Sequence, residues 1–180
     1  MGRAMVASFV ALVTLGLADS TSAGTTPVGT VLEVMLAAPG TMPGYVRCVT
    51  PDELHRRTGR RDWWGFTFGP KGRGSAVLLD MKAVCRPLHR QRTGRRLDGR
   101  SAEFYELVFA LALVLHEKAH VQGIDAEWQA ECWGIRPTLK QLRRWGYNNA
   151  NVLAEVKYYL ALWLDVERSE EYKLYGRCRV

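Results

Sequence analysis

Between Phe104 and Leu115 only Tyr105 and Glu106 interrupt an otherwise apolar run. A helix that is hydrophobic on every side cannot sit at a surface; other elements must cover it. Ser101 stands before the run as a helix cap, and Glu103 falls in the first turn, where a carboxylate suits the helix dipole. The helix is predicted to end near Gly123. Its last turns do not fade into a polar face. They read His116-Glu117-Lys118-Ala119-His120. Polar groups at the end of a buried helix need partners, because burying them unpaired is costly.

Histidines at i and i+4 share one helix face, about 6 Å apart along the axis. Two imidazoles so placed can both reach one zinc ion at about 2.0–2.1 Å. Glu117 is rotated about 100° from His116 around the axis, so it can reach a metal-bound water without binding the metal. The spacing predicts two ligands, His116 and His120, and one general base, Glu117. A catalytic zinc takes a third protein ligand. Gly123 permits a sharp turn that returns the chain, and the first acidic candidates after it are Asp125, Glu127 and Glu131. Glu127 and Glu131 are again i, i+4. The expectation is Glu127 on the metal and Glu131 orienting a ligand histidine from behind, with the reverse kept open and Asp125 a weaker third. The bland reading places both histidines where the helix simply emerges from the core.

These residues resemble the zincin metallopeptidases. The metzincin pattern H-E-x-x-H-x-x-G is matched by His116, Glu117, His120 and Gly123, but its last ligand position falls on Ala126. The gluzincin element with a downstream Glu is similar to Ala126-Glu127 through Glu131, although only six residues separate His120 from Glu127. The chain also looks like a group of small exported bacterial proteins that join this motif to E-x-x-x-E-C and to a C-terminal Tyr–Cys–Arg element. Here these are Glu127 to Cys132 and Tyr175 to Arg179. The resemblance spans most of residues 46–180 and implies a small zincin-like domain, zinc as cofactor, and a peptide or protein substrate.

The remainder of the chain sets the context. Residues 1–23 read as a signal peptide: Arg3, an apolar run from Ala4 to Ala18, then small residues. The run is short for a membrane span, and the alternative is an uncleaved N-terminal anchor. Secretion is therefore the expected localisation. Residues 24–46 are rich in Gly, Pro and Thr and read as a linker, with some order around Val31–Leu36. The domain is expected over 47–180. Four dispersed cysteines without a C-x-x-C pair point to disulfides in an exported chain. Three pairings exist; Cys48–Cys85 with Cys132–Cys178 ties each half together.

Thr50-Pro51-Asp52-Glu53 starts a short helix that Gly59 ends. Trp63–Gly69 and Ser75–Asp80 read as a β-hairpin. Residues 86–100 form an arginine-rich loop, and two more helices follow over about 125–145, with breaks at Gly134 and Pro137, and about 150–170. The expected fold is thus α+β, mostly helical, with a β-hairpin beside the active-site helix. The expected function is zinc-dependent peptide-bond hydrolysis. Its rival is a non-catalytic secreted zinc protein, its net charge of +7 and basic loop binding an anionic cell-envelope surface. Nothing in the sequence selects a specific nucleic acid.

Overall fold

The computed structural model describes residues 27–92, 96–166 and 178. The expected signal peptide and all of the C-terminal Tyr–Cys–Arg element except Cys178 lie outside them. The fold is mixed α+β: six α-helices and a three-stranded sheet among the described residues.

The apolar run is the middle of α4 (Ala102–Val121), capped by Ser101, whose hydroxyl accepts the Phe104 N–H at 3.1 Å. Helices α1 (Pro27–Ala37), α3 (Arg86–Arg92), α5 (Glu127–Arg144) and α6 (Ala150–Val166) pack around it. Complete burial of Leu107, Val108, Leu111 and Val114 follows from that enclosure, each side chain contributing about 1.5–3 kcal/mol.

The sheet covers the remaining side. Its order is β1 (Tyr45–Val49), β3 (Ala76–Asp80), β2 (Gly65–Phe68). β2 and β3 form the expected antiparallel hairpin, with Gly65 opposite Leu79 and Thr67 opposite Val77. β1 joins β3 in parallel, which the sequence did not announce. The strand alternation divides the sheet into two faces. Val77 and Leu79 enter the main core, while Leu78 and Phe66 meet Val49 and Leu54 on the α2 side (Pro51–Thr58).

Three expectations change. The stretch read as a linker over 24–46 contains α1, whose Val31, Val34 and Met35 are core residues at helical spacing. Its Gly and Thr content hid that stripe. The arginine-rich loop begins as helix: a π-helical turn over Met81–Cys85 runs into α3, with Pro87 and Leu88 buried. α5 continues unbroken through Gly134 and Pro137. Gly134 lies against the Ala112 carbonyl and His116 amide of α4, and the Thr138 hydroxyl donates to the Gly134 carbonyl at 2.9 Å. Packing against α4 thus outweighs the loss of one helical hydrogen bond at proline.

Both disulfides have the favoured pairing. Cys48–Cys85 ties β1 to the π-helical turn, and Cys132–Cys178 ties α5 to the C-terminal segment. Such bridges fit an oxidising, extracellular environment. No helix among the described residues is long and apolar enough to cross a membrane.

Candidate metal centre

α4 supplies two donors, and the turn after it brings up the third. At the helix end Gly123 adopts φ 94°. Its N–H donates to His120 O at 2.9 Å, and the Ile124 N–H donates to Ala119 O at 3.1 Å. This left-handed closure satisfies the last carbonyls and reverses the chain. Glu127 then opens α5, pointing its carboxylate back at α4. The hairpin pins the turn from outside: Lys71 Nζ donates to Asp125 Oδ2 at 2.6 Å and to the Gly123 carbonyl. Asp125 is thereby committed to Lys71 rather than to the cluster.

His116, His120 and Glu127 could hold a metal ion. His116 Nε2 lies 3.0 Å from His120 Nε2 and 3.1 Å from Glu127 Oε2, and His120 Nε2 lies 3.3 Å from the same oxygen. Three ligand atoms this close together can all reach one ion.

The tautomers agree. His120 Nδ1 is 2.6 Å from the Ile124 carbonyl, which can only accept, so that nitrogen carries the proton. His116 Nδ1 faces Glu131 Oε1 at 3.4 Å. With both rings protonated at Nδ1, both Nε2 lone pairs point at Glu127. Three lone-pair atoms that close repel one another unless a cation sits among them.

In the metal-free protein a proton meets part of that demand. Burial works against a charged His116, but Glu131, Glu127 and Glu117 outweigh it and push its pKa up to about 10. Burial likewise opposes ionised Glu127, yet the two imidazoles hold its carboxyl down at about 2. Burial also works against a charged His120, and Glu127 again reverses the direction.

Glu117 stands apart from the three. It is 3% exposed, and its Oε2 accepts the Thr67 hydroxyl at 2.6 Å. Burial pushes its carboxyl above the ordinary range, against the pull of His116, His120 and Thr67. Gly65 makes room for it: a Cβ there would lie 2.5 Å from Glu117 Oε1. Gly65, Thr67, Glu117 and the three donors line one cleft. β2 is an edge strand, so beyond the cleft its outer edge has no strand partner among the described residues.

The cluster therefore brings together His116, His120 and Glu127, puts Glu131 behind His116, and sets Glu117 beside them. Sequence reasoning missed Gly65 and Thr67, which lie about fifty residues away and carry no motif. It also missed Lys118, which is fully buried and donates to the Met35 and Gly40 carbonyls at 3.2 and 3.4 Å. Burial lowers its pKa. The signal for Lys118 was present, since a helix buried all round has no solvent face to offer position 118. Comparison with protein-family models, with curated proteins and with solved structures finds no match for this chain.

Proposed function

We propose that this chain is a secreted zinc-dependent peptidase of zincin type, with His116, His120 and Glu127 as ligands and Glu117 as general base. The observation that carries the reading is the convergence of three ligand atoms within 3.3 Å next to a buried carboxylate that binds none of them. Two imidazoles and a carboxylate suit zinc. Bound zinc would lower the pKa of its water and polarise a carbonyl.

The chain's own groups do the rest. Glu117 would take a proton from water held in the cleft and return it to the leaving amine; its raised pKa suits a group that must both accept and release. Thr67 holds that carboxylate in place at 2.6 Å. Glu131 fixes the His116 ring from behind. The free edge of β2 offers backbone groups to an extended peptide, which would lie across the cleft as an added strand.

A structural zinc site is closed by four protein ligands. Glu131 faces His116 Nδ1, the nitrogen turned away from the cluster, and Glu117 is held by Thr67. The fourth position is left to the cleft, which favours catalysis over the non-catalytic alternative.

Metal content and peptide hydrolysis test the reading together. Wild type should hold about one zinc per chain and cleave quenched fluorescent peptides. His116→Ala should lose the metal. Glu117→Gln should keep metal and fold but lose turnover. Zinc-free folded wild type, or full turnover in Glu117→Gln, would overturn it.

A further inference from the structure

Trp63 lines two clefts. One is the metal cleft, of about 190 Å³; the other, about 760 Å³, runs along the π-helical turn and α3. The first has room for little more than the reacting bond, so the second is where flanking side chains would go. Its walls combine two kinds of chemistry. Trp64 and Phe109 meet edge to face at 5.2 Å and, with Trp63, form an aromatic floor. Arg61, Lys82 and Arg86 are exposed along the rim.

Those three cations have no carboxylate partner among the described residues. The two carboxylates in the same walls are already engaged. Asp80 is 3% exposed, and its Oδ1 accepts the Lys82 and Ala83 N–H groups at 2.7 Å. Glu106 pairs with Arg90 at 2.8 Å. The groove therefore combines uncompensated positive charge with aromatic surface, and shares Trp63 with the metal cleft.

We infer that this groove binds acidic side chains of the substrate peptide, giving the enzyme a preference for Asp and Glu on one side of the scissile bond. The inference rests on the peptidase reading for the identity of the substrate. A peptide fits better than a continuous polyanion: the walls pair three cations with three aromatic rings, which suits acidic and apolar side chains together, whereas an unbroken row of phosphates would leave the rings uncovered.

The test uses the full chain, zinc-loaded, with Glu117→Gln to prevent turnover. Fluorescent peptides of one sequence carry Asp and Glu, or Asn and Gln, at the same positions, and anisotropy reads binding. The acidic peptide should bind about tenfold tighter, the scale three partly exposed ion pairs supply together. Adding Lys82→Glu and Arg86→Glu should abolish that difference while leaving the neutral peptide's affinity unchanged. Cleavage profiling of wild type on a peptide mixture should show Asp and Glu enriched on one side only.

The outcomes separate the two readings. If acidic peptides bind and the charge variants lose them but nothing is cleaved, the peptidase reading falls and the groove stands as an acidic-peptide site. If peptides are cleaved with no acidic preference and the charge variants change nothing, the groove falls alone. Salt-sensitive binding of polyphosphate without discrimination between the peptides also overturns it, in favour of a polyanion surface.

Discussion

Replacing Gly65 by alanine adds one methyl group where Glu117 already lies. The new Cβ would stand 2.5 Å from Glu117 Oε1 and 3.0 Å from its Cγ and Cδ. Real Cβ atoms essentially never come within 3.0 Å of another heavy atom, so the carboxylate must yield by at least 0.5 Å (3.0 less 2.5). It has little freedom to do so cheaply. Glu117 is 3% exposed and tied to Thr67 at 2.6 Å, and overpacking of this kind costs about 1–3 kcal/mol. For a domain of this size that lowers Tm by roughly 2–4 °C per kcal/mol. On the proposed mechanism the catalytic cost is larger in proportion. A general base displaced by about 1 Å loses on the order of 100-fold in rate, so a loss of about 10- to 100-fold in kcat/KM is expected. The atoms nearest a Cβ at Gly65 all belong to Glu117 and none to the proposed ligands His116, His120 and Glu127, so metal content should match that of wild type. Peptide hydrolysis, metal analysis and thermal melting on the same preparation read all three. Wild-type turnover at an unchanged Tm would refute the argument, because it would mean the group beside Gly65 is not the one that handles the proton.

Three further predictions follow from the histidines' surroundings. Glu131→Gln preserves shape but weakens the orienting contact on His116, and zinc affinity measured by chelator competition should fall about 10- to 100-fold; an unchanged affinity would remove Glu131 from the site. The metal-free protein should be most stable between the two titrations. His116 is raised from 6.5 to about 10, so its contribution is complete below pH 6.5 and disappears as pH climbs towards 10. Glu127 is lowered from 4.5 to about 2, so its contribution is complete above pH 4.5 and disappears as pH falls towards 2. Urea midpoints of the metal-free protein should therefore decline from pH 6.5 to 9, and a rise over that range would contradict the pairing. Metal uptake at pH 7 should also release a proton from His116, which calorimetry in two buffers can count.

Much of the architecture was legible because its signals are short-ranged. Thr50 and Ser101 cap their helices through groups three residues on, as their spacing implies. The hairpin shows in the change of period after Gly59, and α4 in the apolar run from Leu107 to Leu115. α1 was not legible as core. Its Val31, Val34 and Met35 acquire meaning only when α4 lies beneath them and Lys118 reaches up to the Met35 carbonyl. The parallel pairing of β1 with β3 was equally hidden, since it joins strands that α2 and β2 separate in the chain.

The sequence by itself determined the pair His116 and His120, because helical pitch alone sets two side chains four residues apart on one face. It also narrowed the third donor to the carboxylates after Gly123. Only the tertiary structure decided among them. The left-handed turn at Gly123 delivers Glu127 to the cleft side of His116, the packing of α5 on α4 puts Glu131 behind the ring, and Lys71 draws Asp125 away. Likewise no local pattern could bring Gly65 and Thr67 to Glu117. Their proximity is a property of the sheet lying against the helix, and contacts of that range are set by how whole elements bury their faces rather than by any residue's neighbours in the chain.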